Sequence, residues 1–381
     1  MLAILGILIV GAAAWAVAGP AGAEPAAGAR GAVVTSTDIT GDKMAKLAGA
    51  GKAIRITYLS EDANGDVVPA RATVYIPAAL PEQGALRTMV WGHGTRGIGT
   101  DCLVSDKLGN GGRFDAWLGP WLKEGYVLVS PDYAGIGVPG KHVYLDGGVS
   151  GRNMLDAVRA ARTVAAQQTG RQVSNAFIAT GGSQGGHAAL WAGHLAKSYV
   201  PELKNVGVVA TSAPVDLASY FSRIAPGVPP VAVPDYAVYF TYVMRGVQLA
   251  HPEVNVPSYL TPLGRKLLAE SHTKCYPQLS AETANIPVGD LVSRPLNDGP
   301  FISALRQLTY VPTKGYSAPL LLQQGVLDPV TPTAVTDGWA DQARANGVDV
   351  TVRDYQAGHG ANLQAETFAL QWAGERNWPN D

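Results

Sequence analysis

Short apolar segments alternate with helical segments along most of the chain, and this alternation limits the possible folds more than any other feature. Six segments are predicted to be strands, and most of them are apolar without a polar alternation, as in strands buried on both faces: residues 87–91, 126–130, 175–180, 206–210, 320–324 and 348–353. Helical spacing of apolar residues separates several of them, most clearly at 152–165 and 334–345. Strands that alternate with helices form βαβ units, so we predict an α/β fold with a mostly parallel central sheet.

Two earlier segments alternate apolar and polar residues instead. Residues 54–59 and 70–76 do so on either side of the turn pair Asn64-Gly65. Such a pattern predicts an antiparallel hairpin. The residues before it, 24–50, are rich in Ala and Gly, and we expect them to form a poorly packed lead-in.

The alternation stops at residues 215–312, which are rich in Pro and carry helical rather than strand patterns. An insertion of this length between two strands is too long to be a simple loop. We therefore predict a core domain formed by 51–214 and 313–381, into which a helical cap or lid is inserted at 215–312.

The N-terminal region predicts export. Residues 1–23 combine an apolar run with small residues that end in Ala21-Gly22-Ala23, the pattern of a signal peptide and its cleavage site. No Lys or Arg precedes the apolar run, and an uncleaved membrane anchor is the alternative. The two cysteines, Cys102 and Cys275, permit one disulfide in an exported chain, which could stabilise it by roughly 4 kcal/mol. Two separate thiols remain the alternative.

Charge and composition exclude several classes of protein. The chain has 29 Lys and Arg against 30 Asp and Glu, so it lacks the basic surplus that nucleic-acid binding requires. No spacing of His, Cys and Asp predicts a metal site, and two distant cysteines cannot form a zinc knuckle. The G-x-G-x-x-G sequence at 135–140 contains Pro139 and opens no helix, so it does not predict dinucleotide binding.

The most specific motif is Gly181-Gly182-Ser183-Gln184-Gly185, a G-x-S-x-G sequence between a predicted strand and a predicted helix. In that context the serine occupies a sharp turn that exposes its hydroxyl above the sheet. The glycines on either side leave room for neighbouring backbone, and the helix N-terminus favours developing negative charge. We predict that Ser183 is a nucleophile.

A serine hydroxyl needs a base, and seven histidines compete for that role. His359 follows the last predicted strand and has glycine on both sides, so its loop can bring the imidazole over the sheet. The other six have less suitable positions: His93, His142, His187, His194, His251 and His272. We predict that His359 is the base, and that His93 anchors its own loop.

The base in turn needs a carboxylate that orients it and stabilises its charged form. Asp328 follows the predicted strand 320–324, so it should lie at the same edge of the sheet as Ser183 and His359. Asp349 and Asp354 compete, but they lie in or flank the strand that leads to His359. The order Ser183, Asp328, His359 is the order of the α/β-hydrolase triad.

Acyl transfer also needs two donors for the oxyanion. We expect one to be the backbone N–H of Gln184, which follows the nucleophile, and the other to be the N–H of Thr95, with Gly94 as the nearest alternative. In the cap, Tyr236, Tyr239, Phe240, Val243 and Val247 share one helix face. This stripe forms either the core of the cap or the lining of an acyl pocket; in the second case Tyr236 and Phe240 would bind substrate.

Five motifs together resemble the secretory lipase family of α/β-hydrolases: Gly92-His93-Gly94-Thr95, Ser130-Pro131-Asp132-Tyr133, the elbow at 181–186, Leu327-Asp328-Pro329 and Gly358-His359. The resemblance extends over residues 50–375. It implies a helical cap before the strand that carries the acid, and hydrolysis of carboxylic esters without a cofactor. It also implies that Asp132 and Tyr133 shape the site, with Tyr133 on the substrate side.

These inferences predict a secreted serine ester hydrolase, a lipase or esterase that works through an acyl-enzyme intermediate. Its partners would be a carboxylic ester and, for a lipase, a lipid interface. A serine peptidase or an acyltransferase on the same fold is the alternative within enzymes. A non-catalytic binding protein that keeps the fold is the alternative outside them.

Overall fold

The computed structural model describes residues 29–109, 112–228, 233, 235–360 and 362–379. The signal segment predicted at 1–23 lies outside them. Among the described residues, no helix is both long enough and apolar enough to cross a membrane.

The described strands form one sheet. Their bounds are β1 Val33–Asp38, β2 Ala50–Glu61, β3 Val67–Pro77, β4 Leu86–Gly92, β5 Val127–Pro131, β6 Val173–Gly182, β7 Lys204–Thr211, β8 Leu320–Gly325 and β9 Val350–Tyr355. Their order is β1-β2-β3-β5-β4-β6-β7-β8-β9. The pairs from β1 to β5 are antiparallel, and those from β5 through β4 to β9 are parallel. The predictions of a mostly parallel sheet and of an antiparallel hairpin, here β2 and β3, are confirmed.

Helices cover both faces of this sheet and form the segment between β7 and β8. Their bounds are α1 Arg113–Lys123, α2 Gly147–Thr169, α3 Gln184–Tyr199, α4 Ala218–Phe221, α5 Tyr236–Ala250, α6 Pro262–Glu270, α7 Tyr276–Thr283, α8 Phe301–Thr309, α9 Thr333–Ala345 and α10 Leu363–Gly374. Buried residues of α2, α3 and α9 pack on one face of the sheet. Buried residues of α1 and α10 pack on the other. Burial on both faces explains why the inner parallel strands, β4 to β8, are largely apolar.

Part of the predicted lead-in is ordered, which corrects the expectation for 24–50. Val33–Asp38 forms β1 and pairs antiparallel with β2, for example Ser36 with Ile56. Ala45 and Leu47 are buried against the core. The β-branched run in this strand pairs with the exposed edge of β2, and that pairing outweighs the surrounding Ala and Gly.

The segment between Thr211 and Leu320 has an apolar core of its own, built by α4 to α8. Phe240, Tyr259 and Phe301 are completely or almost completely buried in it. Residues of the core domain's loops, such as Tyr144, join the same cluster. A disulfide between Cys102 and Cys275, with Cα atoms 5.3 Å apart, joins the loop after β4 to this segment.

The parallel strands end together at one edge of the sheet. Gly92 at the end of β4 is in register with Gly181 of β6, and Gly325 at the end of β8 with Tyr355 of β9. The loops that carry Thr95, Ser183, Asp328 and His359 therefore all leave the sheet from this edge. Binding sites of open α/β sheets form outside the carboxyl ends of the strands for this reason.

Candidate active site

Ser183 connects the end of β6 to the beginning of α3 in a strained backbone conformation. Its φ of 55° and ψ of −122° lie in a region that non-glycine residues rarely adopt. Such a conformation costs on the order of 1–3 kcal/mol and persists where the surrounding structure enforces it. Here it lifts the Ser183 side chain out of the turn, at the N-terminal end of a 16-residue helix.

Close packing of glycine backbones makes this turn possible. A Cβ atom on Gly185 would come within 1.8 Å of the carbonyl oxygen of Gly92, and a Cβ atom on Gly181 within 2.3 Å of that of Gly185. Any larger residue would push the first turn of α3 away from β4. The glycines of the motif therefore hold the nucleophile turn against the neighbouring strand.

The structure brings the predicted triad residues into one hydrogen-bonded chain. His359 Nε2 lies 2.9 Å from Ser183 Oγ, and His359 Nδ1 lies 2.8 Å from Asp328 Oδ2. An ionised carboxylate only accepts hydrogen bonds, so Nδ1 carries the proton in the neutral imidazole. Nε2 is then an acceptor, and the Ser183 hydroxyl donates to it.

Asp328 is held in its charged form. Its carboxylate accepts hydrogen bonds from the backbone N–H groups of Val330 and Thr331, at 2.8 and 3.0 Å, and from the Thr331 hydroxyl at 2.7 Å. Burial acts to raise the pKa of Asp328, but the hydrogen bonds from His359 and Thr331 outweigh it and lower the pKa to about 2. Asp354, a competing candidate, accepts instead from Gln324, at 2.9 Å.

The two expected oxyanion donors are near Ser183 and available. In the described part of the chain, the N–H groups of Thr95 and Gln184 donate to no protein acceptor. Gln184 is the first residue of α3, where backbone N–H groups lack helical partners. Thr95 and Gly94 line the same cavity as Ser183 and His359.

The segment 142–144 holds the side chains of both donor residues, which the sequence did not reveal. Tyr144 and Thr95 share a hydrogen bond of 2.6 Å between their hydroxyls. His142 Nε2 lies 3.0 Å from Gln184 Nε2. Burial, with a smaller contribution from His93, lowers the pKa of His142 to about 3. The ring is therefore neutral, and its Nε2 accepts from the amide of Gln184.

The remaining histidines have structural positions. His93 is buried and its Nδ1 donates to the Gly94 carbonyl at 2.7 Å, within the predicted donor loop. His187 is buried on α3, and its Nε2 donates to the carbonyl of Thr309 in α8, at 2.8 Å. His194 Nδ1 donates to the carbonyl of Lys314 at 2.8 Å. His251 and His272 are in the segment between β7 and β8, away from the triad.

Three cavities adjoin each other at the sheet edge. The largest, about 540 Å³, is lined by Ser183 and His359, and its wall includes the aromatic rings Trp91, Phe114, Trp117, Tyr239 and Tyr276. A narrow one of about 30 Å³ also touches Ser183. It shares Tyr220, Tyr236 and Val330 with a third cavity of about 210 Å³, which has an apolar wall.

Only one of the three predicted substrate-binding residues lines any of these cavities. Tyr236 lines the second and third cavities. Phe240 instead packs inside the helical segment, 1% exposed and stacked on Phe221 at 6.2 Å, and it lines none of these cavities. Tyr133 is completely buried, and its hydroxyl donates to the His93 carbonyl at 3.1 Å. The structure therefore brings neither Phe240 nor Tyr133 to these cavities, because both side chains are enclosed by neighbouring residues.

Sequence comparison identifies relatives of the chain. The model of the secretory lipase family matches residues 115–282. The resemblance to the secretory lipase family is confirmed. Lipase A of Moesziomyces aphidis is 27% identical over 262 residues, 65% of this chain and 53% of that protein. The secreted triacylglycerol lipase LIP2 of Malassezia globosa is 32% identical over 134 residues, 35% of this chain and 27% of that protein. The chain thus spans about half or less of the length of these two relatives.

Solved structures support the fold more broadly. Candida antarctica lipase A superposes with a TM-score of 0.67 at 23% identity, over 87% of this chain and 78% of that one. The rice cell wall degrading esterase LipA of Xanthomonas oryzae gives 0.74 at 19% identity, over 90% and 95%. Together with the sheet order, these matches show that this chain has the α/β-hydrolase fold.

Among residues 29–109, 112–228, 233, 235–360 and 362–379, no group of three or more His, Cys, Asp or Glu side chains is arranged to hold an ion. The titratable groups at the site are those of the triad, together with Arg96, Arg113, Asp235, Tyr239, Tyr276 and Glu366 in the wall of the largest cavity.

Proposed function

We propose that the protein is an exported serine hydrolase that cleaves carboxylic esters through an acyl-enzyme intermediate. One observation carries the proposal: Asp328, His359 and Ser183 form a continuous hydrogen-bonded chain that ends at a cavity of about 540 Å³. The relatives named as lipases support the choice of a carboxylic ester as substrate.

In the first half of the reaction, Ser183 Oγ attacks the ester carbonyl while His359 Nε2 accepts its proton. The negative charge of Asp328 stabilises the imidazolium that forms. The N–H groups of Gln184 and Thr95 donate to the developing oxyanion, and each such donor typically contributes about 3 kcal/mol to lowering the barrier. His359 then returns the proton to the leaving alcohol, and the acyl group remains on Ser183.

In the second half, water takes the place of the alcohol. His359 accepts a proton from the water as it attacks the acyl-enzyme, and returns that proton to Ser183 Oγ as the acid leaves. No cofactor takes part. The narrow cavity beside Ser183 and the apolar cavity behind it, which Tyr236 lines, are suited to the acyl chain.

The proposal includes the organisation of the chain. Residues 51–214 and 313–381 form the catalytic core, and 215–312 form the cap over it. The apolar cluster, which is built mainly by the helices between β7 and β8, supports this division. Residues 1–23 are proposed to direct export, with a membrane anchor as the alternative. The disulfide and relatives named as secreted lipases support export.

Replacement of the nucleophile is the direct test. Ser183→Ala should lower kcat for 4-nitrophenyl butanoate by roughly 10⁴-fold or more, as in serine triads generally. Ser198→Ala is the matched control, because Ser198 is exposed at the far end of the same helix and donates only to the Leu195 carbonyl. A Ser183→Ala protein that keeps more than a few per cent of the activity would refute the proposal.

The wild type and the Ser183→Ala variant also distinguish the proposed function from its alternatives. A serine-directed phosphonate should label the wild type and not Ser183→Ala. Absence of labelling in the wild type would favour a non-catalytic binding protein. Faster cleavage of peptide than of ester substrates would favour a peptidase. Accumulation of a new ester when an alcohol is added would favour an acyltransferase. Turnover measured against acyl chain length then distinguishes a lipase from an esterase.

A further inference from the structure

Two arginine side chains belong to the wall of the largest cavity, which also contains Ser183 and His359. Arg96 follows Thr95 directly and is half-buried, whereas Arg113 is exposed at the beginning of α1. Their guanidinium carbons lie 5.6 and 5.3 Å from the centre of the same ring, that of Phe114. Two positive charges thus lie near the same aromatic ring in the wall of this cavity.

Neither guanidinium has an acidic partner among the described residues. Arg96 and Arg113 form no salt bridge and no side-chain hydrogen bond there, and only the aromatic contacts hold them. Burial lowers the pKa of Arg96, and the nearby charge of Arg113 lowers it further. A half-buried cation with a second cation nearby is stabilised by an anion that binds to both.

The acidic groups of the same cavity are otherwise engaged. The carboxylate of Asp235 accepts hydrogen bonds from the hydroxyls of Tyr276, at 2.7 Å, and of Ser280. Burial raises the pKa of Glu366 to about 8, so its carboxyl group is mostly neutral near pH 7. The two guanidinium groups therefore remain the charges available to a ligand.

The position of His359 shows which part of an ester reaches these arginines. The proton goes from His359 Nε2 to the leaving alcohol, so that alcohol must lie beside His359. His359 lines the arginine-bearing cavity, together with Gly358 and Gly360. The narrow cavity touches Ser183 without His359 and leads to the apolar one, as the acyl side requires.

We propose that the enzyme prefers esters whose leaving alcohol carries a carboxylate on an aromatic or similarly flat apolar body, which Arg96 and Arg113 bind. The planar guanidinium fork matches a carboxylate. The rings of Trp91, Phe114 and Trp117 provide the apolar surface beside it. This inference rests on the proposed ester hydrolysis and adds the class of leaving group.

A matched pair of substrates tests it. The leaving groups of 4-butanoyloxybenzoate and 4-butanoyloxybenzamide have nearly the same shape and differ in one negative charge. The wild type should show a kcat/KM that is roughly ten- to a hundredfold higher for the benzoate, the range of a hydrogen bond to a charged group. Added salt should reduce this preference, because the arginines are partly exposed.

Three variants test whether Arg96 and Arg113 cause the preference for the benzoate ester. In Arg96→Gln and in Arg113→Gln the ratio of the two kcat/KM values should fall several-fold, and in the double variant it should approach one. Arg87→Gln is the control: Arg87 is in β4, at the end opposite Trp91, and stacks on Trp378 at 5.3 Å. It removes the same charge from the protein, so the ratio should stay at the wild-type value.

A binding measurement separates failure of this inference from failure of the proposed function. Calorimetry with Ser183→Ala should show tighter binding of 4-hydroxybenzoate than of 4-hydroxybenzamide. Equal or weaker binding of the benzoate, or a wild-type kcat/KM ratio near one, overturns the inference while ester hydrolysis stands. Absence of turnover for both esters, with benzoate binding intact, refutes the proposed hydrolysis instead. A ratio that survives the double variant also overturns the inference.

Discussion

Replacing Asp328 by asparagine should nearly abolish turnover while it leaves the loop intact. Asp328 Oδ1 accepts from the N–H groups of Val330 and Thr331, and an asparagine oxygen can keep both bonds. Its NH₂ group would then occupy the position of Oδ2, 2.8 Å from His359 Nδ1. Two donors cannot face each other there, so the imidazole must move its proton to Nε2.

The magnitude follows from that change of tautomer. With a proton on Nε2, His359 cannot accept the proton of Ser183, which lies 2.9 Å away. The corresponding change in other serine triads lowers kcat by about 10⁴-fold, and at about 1.36 kcal/mol per factor of ten this raises the barrier by about 5.5 kcal/mol. KM should change much less, because Asp328 is not among the residues that line the largest cavity.

The assay is saturation kinetics with 4-nitrophenyl butanoate at pH 7, together with near-ultraviolet circular dichroism to verify the fold. Asp354→Asn is the matched control, because it makes the same chemical change at the end of β9 and keeps an oxygen for Gln324. It should retain activity within a few-fold. A folded Asp328→Asn protein with more than about one per cent of wild-type kcat would refute the assignment of Asp328 to the triad.

Two further predictions concern stability. Cys102→Ser combined with Cys275→Ser removes a disulfide between residues 173 positions apart, so the free energy of unfolding in urea should fall by about 2–5 kcal/mol. An unchanged midpoint of urea unfolding would show that the disulfide adds no stability. Burial raises the pKa of Glu366 from 4.5 to about 8, so the folded protein favours the protonated carboxyl group. The contribution of this group to the free energy of unfolding is therefore fully present below pH 4.5 and is lost as the pH rises through 8. The melting temperature of Glu366→Gln relative to wild type should therefore rise between pH 4.5 and 9, whereas the exposed control Glu82→Gln should show no such trend.

The alternation of strands and helices could be recognised because the inner parallel strands, β4 to β8, are buried on both faces and must be largely apolar. The same parallel arrangement explains why candidate triad residues could be chosen from a linear sequence. Segments that follow parallel strands meet at one edge, so Ser183, Asp328 and His359 could be expected near each other although 176 positions separate the first from the last.

Short-range sequence patterns could not predict the structure of elements that pack against residues distant in the sequence. Val33–Asp38 is a strand because the edge of β2 is available to it, and the composition around it hid that pairing. The helix with Tyr236 and Phe240 has one apolar face, yet only Tyr236 borders a cavity, while Phe240 stacks on Phe221. Periodicity identifies a buried face without showing what buries it.

The amino-acid order determined the α/β class, the elbow at Ser183 and the chemical types available for a triad, because strand burial and turn geometry depend on neighbouring residues. The tertiary structure alone decided that His142 and Tyr144 hold Gln184 and Thr95, and that Arg96 and Arg113 share a cavity with His359. These side chains come from irregular loops and from different elements. Their contacts exist only after the sheet, the helices and the disulfide have brought those loops together.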